Sequence, residues 1–346
     1  MGMKISFLGV QRRYRELLPG YRDLFNKYHL EVPYYFARDG HNDVVIATED
    51  YEDGGIDFPG GGSVRCALAS RPAPAGTDVV IHFRRWCGVI PGSKSSIHLL
   101  MSQDHSFSSD WVDKVTAARR DGRLHGLLCF PTWHRRNTAA ELRIDERDDF
   151  LIDGMTFGVD TETYRPGALD PKKMLWASDP GRGFWEAFSL SRDLWRTDGD
   201  FRLHVCWPDY VRGVSMPLAP WLSVHKNVQN GPRLWEFFGD CGILPYTSSF
   251  REPSSRVCRQ AQAAGMVVLY PPAMGSPSEL IRHNVDGIVA PINEWPELIS
   301  GIVRDHERFT TISAAARQLA ISENWEVQAQ RFNVRVRAMT TGRTTT

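Results

Sequence analysis

Net charge is the first thing this sequence lacks: 41 Lys and Arg stand against 41 Asp and Glu in 346 residues. The whole-chain sum therefore announces no polyanion such as nucleic acid, and any basic groove has to come from local clustering. Cysteine is scarce and scattered. Cys66, Cys87, Cys129, Cys206, Cys241 and Cys258 form no CxxC pair, which excludes zinc spacing and a dense disulfide framework and makes a reducing cytoplasm the expectation. No apolar run reaches roughly 18 residues, so no integral membrane segment is expected, while a place on a membrane surface stays open. Walker, HExxH and nucleophile-elbow patterns are missing too, which removes P-loop kinases, zincins and serine hydrolases.

What is present is length enough for two domains of roughly 150 residues each, with short apolar runs alternating with helical patterns. The class this predicts is α/β, two doubly wound Rossmann-like domains. In the first half the patterns read as strands over 4–8, 30–36, 43–46, 78–83, 96–101, 126–130 and 149–152, with helices around 12–28, 109–121 and 132–142. Residues 49–75, rich in Gly, Pro and acid, read as a long loop or irregular insertion. The Pro and Gly content of 157–171 reads as a linker. Strands then fall at 173–177, 201–207, 242–246, 266–269 and 287–290, and helices at 184–195, 232–238, 255–264, 277–283 and 294–304. Ser276-Pro-Ser-Glu279 has the form of a capping box, with Ser276 as the cap. A last helix within 321–339 needs a surface to cover, here the N-terminal domain, and 340–346 is expected to be disordered.

Several motifs carry chemistry beside a plainer reading. Glu252-Pro253-Ser254-Ser255 runs into a helix N-terminus, where unpaired amides and the dipole favour an anion; the two serines serve equally well as simple caps. A carboxylate beside a phosphate site repels its ligand unless it accepts from hydroxyls, and a sugar offers them. Ser178, Gly181, Arg182 and Gly183 lie between the first strand and first helix of the second half, the position where such folds bind nucleotides. Glu186 stands where a dinucleotide fingerprint needs its third glycine, so Arg182 reads as a phosphate-reaching cation or as a solvated loop residue. Asp198-Gly-Asp200 could hold a metal but carries the residues of a hairpin-like turn, and no metal site is assigned. In the first half, Gln103, Asp104 and His105 end a strand, and Arg84-Arg85-Trp86 and Trp133-His134-Arg135-Arg136 follow two others. They read as an acceptor-side lining or as caps, packing and surface charge.

These motifs, taken in order, resemble the GT-B glycosyltransferases, in particular the retaining family 4 group. Phe157-Gly-Val-Asp160 with Tyr164-Arg-Pro166 resembles that family's interdomain segment. Lys172 to Gly183 resembles its first C-domain strand and phosphate loop. Leu244-Pro-Tyr246, Phe250-Arg-Glu252-Pro-Ser254 and Ala263-Ala-Gly265-Met-Val-Val268 resemble its donor-binding strand, loop and helix, and Gly275 to Ile281 with Asn284-Val-Asp-Gly287 the helix and turn that follow. The likeness covers roughly residues 155–335 and departs at two places. Gln260 stands where the family has a second glutamate, and Ala177 and Arg182 stand where it often has Arg and Lys.

The resemblance implies two domains facing a cleft: an acceptor domain over 1–156, the linker 157–171 and a nucleotide-sugar domain over 172–320. It implies transfer of a sugar, with retention and without a metal, from a UDP- or GDP-linked donor that is a co-substrate, no other cofactor being needed. Glu252, Arg182, Asp104 and His105 are the expected catalytic set. Donor contacts fall to Ser178, Gly181, Arg182, Asn227, Val228, Glu252, Pro253, Ser254, Ser255 and Gln260, and the acceptor side to Gln103, Trp133, His134 and Arg84. The acceptor is open among glycan, lipid, small molecule, protein and modified DNA. Competing readings are an inactive sugar- or partner-binding subunit, a nucleotide-sugar epimerase, and a transferase acting on DNA bases through Arg12, Arg13, Arg84, Arg85, Arg119, Arg120, Arg135 and Arg136.

Overall fold

The computed structural model describes residues 2–8, 31–48, 55–68, 76–84, 86–89, 93–102, 104, 106–130, 132–152, 156–178, 180–207, 217–226, 228 and 232–341. The chain forms two compact units, Met1–Thr156 with Trp325–Thr346, and Phe157–Asn324.

Unit 1 runs β1 (Lys4–Leu8), α1 (Glu31–Arg38), β2 (Asp43–Thr48), β3 (Ile56–Asp57), β4 (Ser63–Leu68), β5 (Val79–Phe83), β6 (Ile97–Met101), α2 (Ser109–Arg120), β7 (Gly126–Leu128), α3 (Trp133–Leu142) and β8 (Leu151–Ile152). Its described strands form one sheet in the order β3-β4-β2-β1-β5-β6-β7-β8, parallel except at β3 with β4. The chain winds outward from β1 to β4, then returns to start again at β5 beside β1, so the topological switch lies between β1 and β5. Near-continuous burial of VVIHF in β5 and IHLLM in β6 is what a parallel strand covered on both faces requires.

In unit 2 the chain runs β9 (Asp170–Trp176), α4 (Phe184–Thr197), β10 (Arg202–Trp207), β11 (Leu222–Lys226), α5 (Pro232–Asp240), β12 (Cys241–Pro245), α6 (Arg256–Ala263), β13 (Val267–Tyr270), α7 (Ser276–Leu280), β14 (Ile288–Val289), α8 (Trp295–Arg304) and α9 (His306–Ser322). The sheet order is β11-β10-β9-β12-β13-β14, all parallel, with the switch between β9 and β12. Trp295, Phe184, Ile243, Val267 and Leu269 are among the side chains of its core. The last helix, α10 (Trp325–Thr341), belongs to unit 1: Trp325 stacks on Tyr35 and Phe332 on Phe36, with ring centroids 5.1 and 4.4 Å apart. Among the described residues no helix is long and apolar enough to cross a membrane.

Several sequence expectations need correction. Residues 31–38 are helix, not strand: Val32, Tyr35 and Phe36 are buried at helical spacing, and Pro33 sits in the first turn, where its missing N–H costs nothing. The supposed insertion 49–75 contributes β3 and β4, and β4 pairs with β2 over six residues. Strand β11 and helix α9 went unread. The buried face of α9 is Phe309, Ile312, Ala316 and Ala320, and alanine gives a weak hydrophobic signal. The presumed linker is docked on unit 2, where Phe157, Val159 and Tyr164 are buried and Arg317 donates to the carbonyls of Thr161, Tyr164 and Ala263. Asp198 and Asp200 lie between α4 and parallel strand β10 rather than in a hairpin, and Lys172 bridges both at 2.9 and 3.0 Å. Helix α10 takes in Thr340 and Thr341 of the expected tail; 342–346 and the expected helix 12–28 lie outside the described residues.

Candidate functional site

The two loops that leave β9 and β12 meet at the switch point of unit 2. Gly183, the N-cap of α4, adopts φ +90, and a Cβ there would lie 2.0 Å from the carbonyl oxygen of Thr247. Only glycine permits that approach and that dihedral together. Thr247 Oγ1 in turn donates to the Gly183 carbonyl at 2.5 Å.

Across this junction the Arg182 guanidinium pairs with Glu252 through Nη1 and Oε1. The same carboxylate oxygen accepts from the Tyr246 hydroxyl at 3.1 Å. Burial pushes the Tyr246 hydroxyl far above its ordinary pKa, and the neighbouring carboxylate adds to this, so Tyr246 remains a donor. The Arg182 guanidinium carbon also lies 5.4 Å from the centre of the Phe250 ring, a cation over an aromatic face that is itself partly exposed.

The backbone holds Glu252 as firmly as its side chain. Glu252 N donates to Met274 O at 3.0 Å, and Ser276 N donates to Glu252 O at 2.9 Å. Gly275, at φ +105, lies so close that a Cβ would sit 2.2 Å from the Glu252 carbonyl oxygen. This explains why the expected capping box does not form. Gly275 is the N-cap of α7, the Ser276 amide is committed to Glu252, and Ser276 itself is fully buried.

Ser255 caps α6, its hydroxyl accepting from Cys258 N at 3.3 Å. A cap does not exhaust the helix terminus, because the amides of a first turn have no intrahelical acceptor. Pro253 is buried and Ser254 half-buried beside it. Arg251 and Arg256 flank this segment, and Arg256 lies 5.7 Å over the Phe157 ring. Among the described residues of the two loops, Arg182, Arg251 and Arg256 stand against Glu252, a balance favourable to an anion. Gln260 is half-buried and donates Nε2 to the Tyr164 hydroxyl at 2.8 Å. Ser178 and Gly181 lie in the β9–α4 loop, half-buried and exposed, while Val228 is buried just beyond β11 and Asn227 lies outside the described residues.

In unit 1, Arg84 pairs with Asp104, Nε lying 3.2 Å from Oδ2. His134 is fully buried with both ring nitrogens engaged: Nδ1 accepts from Phe130 N, and Nε2 lies 3.0 Å from Asp104 O. It therefore positions Asp104 and does not itself reach a ligand. Burial pushes its pKa down to about 4, which keeps the ring neutral. Trp133 is half-buried at the start of α3; Gln103, His105 and Arg85 lie outside the described residues. Of the expected basic lining, Arg119 is tied to Asp148 at 2.8 Å, Arg120 faces Asp121 at 3.6 Å and Arg135 donates to the Glu146 carbonyl, while Arg12 and Arg13 lie outside the described residues. Sequence reasoning quotes Tyr246, Phe250 and Gly275 within motifs but gives none of them a role. Gly275 carried a local signal as well, as a glycine directly before a helix with proline in its first turn.

No family profile and no curated protein matches this sequence. Solved structures do match in shape. TarM superposes with a TM-score of 0.57 at 11% identity, covering 75% of this chain and 54% of that one. A glycosyltransferase from Rickettsia africae gives 0.65 at 12% identity over 97% of both chains. HepE of Anabaena, solved with UDP and glucose, gives 0.62 at 14% identity, covering 97% of this chain and all of that one. At such identities the likeness speaks for architecture: two Rossmann-like α/β units with a C-terminal helix packed back on the first, the GT-B fold.

Proposed function

We propose that this chain is a glycosyltransferase that moves a sugar from a nucleoside diphosphate sugar, UDP- or GDP-linked, to an acceptor hydroxyl, with retention and without a metal. The observation that carries the reading is the Arg182–Glu252 pair, brought together by two loops at the switch point of a parallel sheet on a GT-B frame. HepE, of the same fold, was solved with UDP and glucose. In this reading Arg182 and the first-turn amides of α6 take up the charge that develops on the departing diphosphate, and Glu252 holds hydroxyls of the donor sugar. Donor entry is then an exchange of partners: Arg182 leaves Glu252 for phosphate, and the sugar hydroxyls replace it on the carboxylate. A nucleoside diphosphate without a sugar would satisfy Arg182 and leave a largely buried carboxylate short of one partner. The full donor is expected to bind more tightly than the bare nucleotide.

Incubation with a panel of UDP- and GDP-sugars, following nucleotide release with and without EDTA, tests the activity. Turnover that survives chelation and disappears in Glu252→Ala supports the proposal; absence of nucleotide binding by calorimetry overturns it. One observation favours a second reading. Gln260, in the place of the family's second carboxylate, is turned to Tyr164, which suits a subunit that binds a donor without turning it over. Tight binding with no release of nucleotide under any acceptor would identify that case.

A further inference from the structure

Two tyrosines lie in register behind the Arg182–Glu252 pair. Pro245 and Leu269 are partners across parallel strands β12 and β13, and one step further along Tyr246 and Tyr270 stack with ring centroids 5.4 Å apart and planes 8° from parallel. Both are buried. Each holds the Glu252 loop by a different group. The Tyr246 hydroxyl donates to Glu252 Oε1 at 3.1 Å, and the Tyr270 hydroxyl donates at 3.0 Å to Met274 O, the carbonyl that also accepts from Glu252 N.

The two oxygens of Glu252 are therefore unlike. Oε1 takes both the Arg182 guanidinium and the Tyr246 hydroxyl, whereas Oε2 takes no donor among the described residues and is not sealed from solvent. The two partners of Oε1 also differ in how readily they leave. Arg182 is a cation with 42% of its side chain exposed, so a diphosphate that outcompetes the carboxylate draws it off. Tyr246 carries no charge for a phosphate to attract. Burial pushes its hydroxyl and that of Tyr270 upward, and pushes the neighbouring Cys258 thiol up to about 12, so these three groups stay neutral and leave the exchange of charge to Arg182.

A nearly buried carboxylate that loses its cation needs a remaining donor to hold it and to offset its desolvation. We propose that Tyr246 is that donor: a positioning residue, braced by Tyr270, that keeps Glu252 Oε1 fixed while Arg182 moves to the diphosphate, so that Oε2 meets the donor sugar. The proposal rests on the glycosyltransferase reading and gives Tyr246 no contact with the reacting atoms.

Tyr246→Phe keeps the ring on Tyr270 and removes only the hydroxyl. Calorimetry with UDP- and GDP-sugars and with the matching bare diphosphates, beside turnover at saturating donor, tests the role. The variant is expected to bind bare nucleotide as the wild type does, to bind the nucleotide sugar about tenfold more weakly and to lose about tenfold in kcat. A merely structural role would weaken both ligands together. Tyr270→Phe, which takes one donor from the Met274 carbonyl, should show the same selective loss at smaller size. An unchanged ratio of the two affinities in Tyr246→Phe overturns the proposal and leaves the donor reading intact; a wild type that binds no nucleotide overturns the donor reading and the proposal with it. If Tyr246→Phe does not fold, a crystal structure of the wild type with UDP decides. Arg182 on the diphosphate with Glu252 still on Tyr246 supports the proposal, and Glu252 turned from Tyr246, or Arg182 still on Glu252, overturns it.

Discussion

Each unit places an arginine–carboxylate pair where parallel strands end beside a topological switch, yet the two pairs differ in depth. Glu252 retains 11% of its side-chain exposure, takes a hydroxyl from Tyr246 and is clamped through its backbone to Met274 and Ser276, whereas Asp104 keeps 33% and, among the described residues, is backed only through its own carbonyl. A buried carboxylate that loses its cation is left in a poor dielectric, so its pairing is coupled to whatever replaces the arginine. An exposed one exchanges partners with water at little cost. The deeper pair suits a step in which charge moves, and the shallower one suits reversible capture.

Neutralising the deep pair should have the largest effect. Glu252→Gln is expected to lower donor turnover by about 10²–10³-fold, the size typical of removing one well-placed polar group from a reacting centre. It should also release Arg182 and tighten UDP by about tenfold, so that the bare nucleotide comes to rival the full donor. Calorimetry with UDP and UDP-sugar on both proteins reads the inversion directly. Unchanged UDP affinity would mean that Arg182 and Glu252 do not compete with the ligand.

Acid should separate the units next. In unit 1 burial pushes His134 down to about 4, and burial with neighbouring His98 pushes His82 down to about 3. Both lie below the ordinary value of 6.5, so the unfolded chain binds protons that the folded chain refuses. Stability is whole above pH 6.5 and falls as the pH drops toward 4 and then 3, by on the order of 3 kcal/mol per histidine. Unit 2 offers His204, down to about 4 but only partly buried, and so a smaller loss. Hydrogen exchange at pH 7 and pH 4.5 should show protection lost first in β5, β6 and α3. Equal loss in β9 and β12 would contradict this.

The same asymmetry governs how much was legible in the sequence. Unit 2 was readable because its candidate residues sit in loops with Gly, Pro and Ser punctuation between unambiguous apolar strands, and Arg182 and Glu252 lie paired across two of those loops. The partners that give Glu252 its character were not readable. Tyr246 is an ordinary strand-end tyrosine, and the Ser276 amide is diverted from a capping box by a contact 24 residues away in the chain, beyond any local pattern. In unit 1, Val32-Pro-Tyr-Tyr-Phe reads as a strand because its helical face is short and aromatic, and part of the surface it packs on is α10, about 300 residues later in the chain. For His134 the residues leave acceptor lining and packing both open, and the resemblance points to the first; its burial against the Asp104 carbonyl bears out packing and is beyond any local pattern.

Backbone geometry gives a third contrast. Gly183 and Gly61 share a positive φ, +90 and +93, but a Cβ at Gly183 meets the Thr247 carbonyl at 2.0 Å, whereas at Gly61 nothing lies within 4 Å. Alanine at position 61 should cost about 1 kcal/mol for its dihedral alone. At position 183 it must also push apart the two loops that join Arg182 to Glu252, and a loss of about 3 kcal/mol with weakened nucleotide binding is expected. Urea midpoints of the two variants provide the comparison, and equal losses would mean that the loops part freely.

The smallest effect should come from the shallow pair itself. Asp104→Asn keeps the shape of the side chain, and the backbone carbonyl that holds His134 is untouched, so only an exposed ion pair is lost. Such pairs contribute about 0–1 kcal/mol and are screened by salt. The melting temperature should therefore shift by no more than a few degrees, and by less at high ionic strength. A loss well beyond that would show that Asp104 bears on folding as Glu252 does, and the distinction between a coupled deep pair and an exchangeable shallow one would no longer hold.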